Sequence, residues 1–305
     1  MALRADGSTA LALGAVDAPV LPRSSNKPLQ AVGLLEVGWE PAGTAELALA
    51  SASHSGEPRH LDVVRRMLGA LPEQALGCPP SLPLDRATEQ AVLAAGGGPT
   101  RLQMNCSGKH AAMLGACTAR GWSLPDYLAP DHPLQQHLTA TLARLAGEPV
   151  TRVVVDGCGA PQHALSLRGL AGAYARLVTA ADGTPEHRVA AAVREHPLLV
   201  GGTGRDVTAL MERVPGLLAK DGAEGVYAAA LPDGGALALK VEDGAERART
   251  PLLVAALAAL GHDVEGLHDL AVLPVLGGGA PVGEVRVVAG TGAAAPPQGP
   301  VPSGS

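Results

Sequence analysis

The order of segments along the chain predicts a mixed fold of the α+β class. Three observations point there. Strand-like alternation is confined to residues 8–22 near the start and to 225–230, 236–241 and 283–288 near the end. Between them lies a long stretch dominated by helical spacing. The 305 residues, 47% of them apolar, are enough to bury a full core. Ala, Leu, Val and Gly carry that content, since the chain has no Phe, two Trp and three Tyr. Its core is therefore built from small aliphatic side chains.

Residues 8–22 read as one or two short strands. From Lys27, the spacing of Leu29, Val32 and Leu35 predicts a helix opening just after Ser24, with Ser24 or Ser25 as N-cap and Pro28 tolerated in the first turn. A second helix follows over 46–51, then a polar turn, Ser53-His54-Ser55-Gly56-Glu57. Residues 57–70 are amphipathic, with Leu61, Val64 and Leu68 on one face. A Pro-rich connection at 78–83 leads to a helix near 85–95, and the break at 96–98 precedes Asn105-Cys106-Ser107-Gly108-Lys109-His110, which opens another helix. The β-branched run at 153–155 ends at Asp156-Gly157-Cys158-Gly159, and helices are expected at 163–178, 187–195 and 245–260. The tail, 289–305, is Gly, Ala, Pro and Ser without periodicity and is expected to be disordered.

A net charge of −6 without a Lys/Arg run argues against nucleic acid or an acidic membrane surface as partner. No eighteen-residue apolar stretch suggests a membrane span, and residues 1–14 lack the order of a secretion signal, so a cytoplasmic location is expected. Four cysteines (Cys78, Cys106, Cys117, Cys158) are too few to staple a domain of this size; they are free thiols or metal ligands.

Several motifs carry chemistry. Ser24-Ser25-Asn26-Lys27 sets a hydroxyl three residues before an amine, on one helical face, where a desolvated lysine can take a proton from serine. An N-cap serine beside a solvated lysine has the same pattern. The Ser53 turn is either a substrate-binding or proton-shuttling loop or a cap for the next helix. Cys106, Lys109 and His110 share a helical face, and with Cys158 the two sulfurs suit zinc; buried structural cysteines are the plainer alternative. Lys220-Asp221-Gly222 precedes a strand and supplies a second lysine. Gly201-Gly202-Thr203-Gly204-Arg205 lacks a phosphate loop's ending and reads as a carboxylate-binding loop with Arg205 as clamp; Arg23 is a second candidate clamp.

Taken together and in order, LPRSSNKPLQA (21–31), SASHSGEPRH (51–60), NCSGKHAAML (105–114), DGCGAP (156–161), GGTGR (201–205), KDGAEGVYAAALPDG (220–234) and PVLGGGAPVGEVR (274–286) resemble the asparaginase II family of the Rhizobium etli type. The resemblance covers about residues 2–288, read as one domain, 1–288. It implies an antiparallel sheet flanked by helices with a helical region, similar to serine β-lactamases and glutaminases. It also implies hydrolysis of L-asparagine to L-aspartate and ammonia, and a homodimer. The family's first serine–lysine pair falls on Ser24 and Lys27 and its second serine on Ser53. Lys220 is the choice for the second lysine, with Lys240 competing. The family's zinc ligands fall on Cys106, Lys109 and Cys158, and Asp156 and His110 beside them are expected to help bind substrate. Family members begin with an additional strand carrying a Glu-Ser-x-His-like segment; its absence here predicts an unpaired sheet edge.

The mechanism expected is proton transfer from Ser24 to a neutral, buried Lys27, attack on the amide carbon, and hydrolysis of the acyl-enzyme. Whether Ser24 or Ser53 attacks stays open. A glutamine or β-aspartyl amidase, an inactive zinc- or amino-acid-binding homologue, and a penicillin hydrolase are the rivals.

Overall fold

The computed structural model describes residues 1–288, so the expected disordered tail lies outside the described residues. The chain opens with β1 (Ala2–Leu3), β2 (Thr9–Leu11) and β3 (Pro19–Val20), then a 3-10 turn, Arg23–Asn26. Helices α1 (Lys27–Glu36), α2 (Thr44–Ala50), α3 (Pro58–Leu68), α4 (Arg86–Ala94), α5 (Ser107–Arg120) and α6 (Pro133–Ala146) follow. Three short strands, β4 (Val153–Val155), β5 (Pro161–His163) and β6 (Leu165–Ser166), lead to α7 (Leu167–Thr179), α8 (Pro185–Glu195), α9 (Pro197–Val200) and α10 (Asp206–Arg213). The chain then forms β7 (Leu218–Gly222), β8 (Val226–Ala230), β9 (Ala236–Lys240), α11 (Arg249–Ala259), α12 (His268–Ala271), β10 (Leu273–Gly277) and β11 (Ala280–Val285).

The α+β class holds, with an antiparallel five-stranded sheet in the order β2-β1-β9-β8-β7. Every residue of β7 and β8 is buried, and β8 is Val-Tyr-Ala-Ala-Ala. Such small side chains let helices approach closely: α7 packs on β1, β8 and β9, and α11 on β2, β8 and β9. The helical region is organised around α1, which touches α2, α5, α6 and α8. Its residues Lys27 through Leu35 are all buried, as expected of a helix walled in by others. Gly33 permits one of these crossings, because a Cβ there would sit 2.7 Å from Leu138 Cδ2. Among the described residues no helix is long and apolar enough to cross a membrane.

Some local expectations are corrected. Neither Ser24 nor Ser25 caps α1: the N-cap position is Asn26, without a side-chain hydrogen bond, because a 3-10 turn extends the helix start backward. The helix placed at 163–178 begins only at Leu167, where Ser166 accepts from Gly169 N. Lys220 lies within a strand, β7, rather than before one. The strand expected at 283–288 is β11, and its partner β10 was not anticipated. The unpaired edge expected from a missing first strand is not at β1, which is bonded to β2 on one side and β9 on the other. Leu61 is only half buried, whereas Val64 and Leu68 are buried as expected.

Candidate active site

The turn carrying Ser24 is braced from several directions. Arg23 adopts a left-handed φ of +50°, a conformation that costs a non-glycine residue energy and persists only where surroundings hold it. Its guanidinium is held by Asp156 Oδ1 (Nε, 2.9 Å) and Glu224 Oε2 (Nη1, 2.9 Å). Ser25 Oγ donates to Pro22 O at 2.7 Å, and Tyr174 Oη donates to Ser25 O at 2.6 Å. Strand β7 presses against the same turn, and a Cβ on Gly222 would lie 2.7 Å from Pro22 O. Ser25 is thereby buried in structural bonds, while Ser24 remains half exposed.

Lys27, one turn along, is 1% exposed. Its Nζ donates to Ser53 Oγ at 3.1 Å and to Ala52 O, and Ser24 Oγ makes no hydrogen bond to it. Among the described residues no carboxylate forms an ion pair with Lys27. Ser53 is held in turn by its backbone N–H, which donates to Val200 O at 3.1 Å. The neighbouring His54 is fully buried, and burial first, then His60 and Lys27, push its pKa well below the usual imidazole value. Its Nδ1 accepts from Gly56 N (3.2 Å), so the neutral ring carries its proton on Nε2 and donates to Ser107 Oγ at 2.9 Å. The polar turn is thus a packed corner between α2, α3 and α5, and it both presents Ser53 and caps α3: Glu57 forms a capping box with His60.

The glycine-rich loop before α10 closes on this corner. Glu57 accepts from Thr203 N (2.7 Å) and Thr203 Oγ1 (3.0 Å), and Ser55 Oγ donates to Gly201 O at 2.9 Å. Arg205, expected to clamp a carboxylate, instead reaches Asp221 Oδ2 at 2.7 Å. Arg23 likewise spends its guanidinium on Asp156 and Glu224.

Cys106, Lys109 and His110 sit at the first turn of α5 and meet Cys158 from the 156–159 turn, with Lys109 Nζ 3.1 Å from Cys158 Sγ. The neighbouring Cys106 thiol first, then the Lys109 ammonium, hold Cys158 far below the usual thiol range despite its burial. Lys109 is pushed down by burial, but the sulfurs of Cys158 and Cys106 outweigh this and raise it. His110 is lowered by burial; its Nδ1 lies 2.6 Å from Tyr127 Oη, which also accepts from Gly77 N. His110 Nε2 is buried without a hydrogen-bond partner. The Lys109 amine and the Cys158 sulfur thus meet directly, with the Cys106 sulfur at the same helix start. Among the described residues no group of three or more His, Cys, Asp and Glu is placed to hold a metal ion, here or elsewhere. Asp156 bonds Arg23 through Oδ1, with Oδ2 3.9 Å from the Cys158 sulfur, joining the metal-type cluster to the Ser24 turn.

Lys220 is wholly buried on β7, with Nζ on Asp221 Oδ1 and, at 2.8 Å, on Asp221 O. Burial, opposed by Asp221 and aided by Lys27 and Arg205, brings its pKa down to about 8. Lys240 is spent at the β8–β9 end on Glu224 O and Val241 O. One signal was overlooked in the sequence: among 23 basic residues only Lys27, Lys109, Lys220 and Lys240 are lysine. Three of these four are 0–2% exposed at this site. A chain that uses arginine elsewhere keeps lysine where an amine able to lose its proton is useful. Asn26 and Gln162 were also missed; Asn26 Nδ2 donates to Gln162 Oε1 at 2.6 Å beside Lys27, leaving Gln162 Nε2 buried and unpartnered.

A family model described as L-asparaginase II matches residues 1–287 of the chain. Among curated proteins no relative matches the sequence.

Proposed function

Given that the chain belongs to the L-asparaginase II family, and is an amidohydrolase of that type, we propose that it hydrolyses L-asparagine to L-aspartate and ammonia by serine–lysine chemistry. The observation that carries this reading is a buried amine, Lys27, bonded to Ser53 and unpaired with any carboxylate among the described residues. A structural lysine would be solvated or ion-paired.

Ser24 is half exposed and Ser53 only 5% exposed, so Ser24 is the hydroxyl an incoming amide reaches first. Lys27 shares a helical turn with Ser24, and its flexible stem lets Nζ swing from Ser53 to Ser24. The Ser24 oxygen then bonds the amide carbon, and its proton passes to Lys27. From there the proton moves by way of Ser53 to the leaving nitrogen as the C–N bond breaks and ammonia departs. Water attacks the resulting ester with the same amine as base, restoring Ser24 and releasing aspartate. Lys220 in its charged form adds positive potential that favours serine ionisation and draws a substrate carboxylate. The positions of Lys220 and Lys240 support Lys220 as the second lysine.

Cys106, Cys158 and Lys109 are the residues that would hold zinc, and the chemistry of this donor set fits it. Cys158 favours the thiolate, and a bound metal would neutralise it in place of the Lys109 proton. When bound, zinc would supply a Lewis-acid point that organises the substrate. His110 and Asp156 stand beside these residues.

The test is ammonia release from L-asparagine and from L-glutamine, with zinc content measured on the same sample. Release from asparagine in preference to glutamine is expected. Release from glutamine alone would replace the substrate, and release from neither would sink the reading.

A further inference from the structure

Lys220 reaches its counter-charge in an unusual way. Successive residues of a strand point to opposite faces, yet the amine folds back along β7 to meet both the carbonyl and the carboxylate of the very next residue, Asp221. That carboxylate is itself 4% exposed and is gripped from behind. Arg205 Nη2 lies 2.7 Å from Oδ2, and Arg249 Nη1 faces the same oxygen at 4.0 Å. Arg249 is held in turn by Asp206 (2.9 Å), which also accepts from Thr250 Oγ1 (2.8 Å). A buried chain of alternating charge thus runs from Lys220 through Asp221 and the two arginines to the start of α10 and α11. Buried ion networks are poor stabilisers compared with well-packed apolar side chains, so one that ends on a site amine calls for a role beyond stability.

We propose that Asp221 is a positioning residue for the hydrolysis: anchored by Arg205 and Arg249, its carboxylate aims the Lys220 amine and keeps it cationic beside the Ser24 turn. The proposal deepens the function above and rests on its assignment of Lys220 to the site. The groups bearing on Lys220 are Asp221 on its own strand, Lys27 from α1 and Arg205 from the N-terminal end of α10. Arg249 from α11 and the phenols of Tyr174 (α7) and Tyr227 (β8) act on Asp221. The Ser24 turn and α8, which also pack on β7, bring Arg23 and Arg194. Asp221 is the one carboxylate among those acting directly on the amine.

Four lysines make the test direct. Protein labelled with 13C at lysine Cε shows four lysine signals, and the Lys220 signal is the one lost in Lys220→Arg. In the native chain Lys220 should titrate near pH 8. In Asp221→Asn its midpoint should fall by at least about one pH unit, roughly a tenfold drop in the ratio of charged to neutral amine at a given pH. In Arg205→Gln, which removes a cation from the same carboxylate, the midpoint should rise. The alkaline limb of kcat/KM for L-asparagine should move in the same two directions. A Lys220 titration in Asp221→Asn superimposed on the native curve overturns the proposal, as does a moved titration with an unmoved alkaline limb. If Asp221→Asn does not fold, the sign of the Arg205→Gln shift decides. A native chain that releases no ammonia would defeat the asparaginase reading separately, since the NMR titration needs no turnover.

Discussion

Replacing Lys27 by methionine separates catalysis from stability. Methionine has nearly the same length and fits a site that is 1% exposed. Lost are the hydrogen bonds from the amine to Ser53 Oγ and Ala52 O, each worth about 0.5–1.5 kcal/mol. Gained is relief from burying a polar amine, a cost of about 1–3 kcal/mol. The two sums nearly cancel, so the unfolding free energy of Lys27→Met should stay within about 2 kcal/mol of the native chain. General base catalysis contributes about 10²–10⁴-fold, and kcat should fall by at least that much. Denaturant unfolding followed by circular dichroism, alongside a coupled ammonia assay, reads both quantities. A variant that unfolds readily, or one whose kcat stays within about tenfold of native, would refute the reasoning and make Lys27 a structural residue.

The other predictions concern neighbouring groups. Ser24→Ala should remove the acyl-enzyme seen by mass spectrometry after rapid quench, whereas Ser53→Ala should still form it with turnover slowed about 10²–10⁴-fold; the reverse pattern would make Ser53 the nucleophile. By elemental analysis Cys158→Ser should hold less zinc than the native protein, because an alcohol replaces the sulfur most disposed to ionise; equal zinc in the two would overturn the assignment of the metal to this site. Gly222→Ala should cost about 1–3 kcal/mol by thermal melting, since its Cβ would lie 2.7 Å from Pro22 O. The same change should lower kcat by displacing the Ser24 turn, and native activity would show that the turn tolerates the shift.

Much of the site was legible because its motifs are local. The Cys106–Lys109–His110 face of α5 follows from helical period alone, and the structure puts all three at the first turn. Ser166 as a helix cap was not read, because the short strands β5 and β6 interrupt what looked like one apolar run. Arg205 shows the opposite limit. A glycine loop ending in arginine reads as an anion clamp, but the anion it finds is Asp221, sixteen residues on, brought close only when α10 docks on β7. The hydrogen-bond partner of Lys27 was hidden for the same reason. The i, i+3 rule brings Ser24 within reach, while the bond actually formed goes to Ser53, twenty-six residues away.

Composition and spacing alone determined the class of the fold, the helix that opens at Lys27, and which hydroxyls, amines and thiols are available for chemistry. Those properties depend on a residue and its near neighbours. Tertiary structure decided the pairings: β1 between β2 and β9, Lys27 on Ser53, Lys109 on Cys158, and Lys220 with Asp221 and its arginines. Burial decided the charges, because a buried amine or thiol takes its proton affinity from what is packed beside it. No periodicity in the chain records that neighbour.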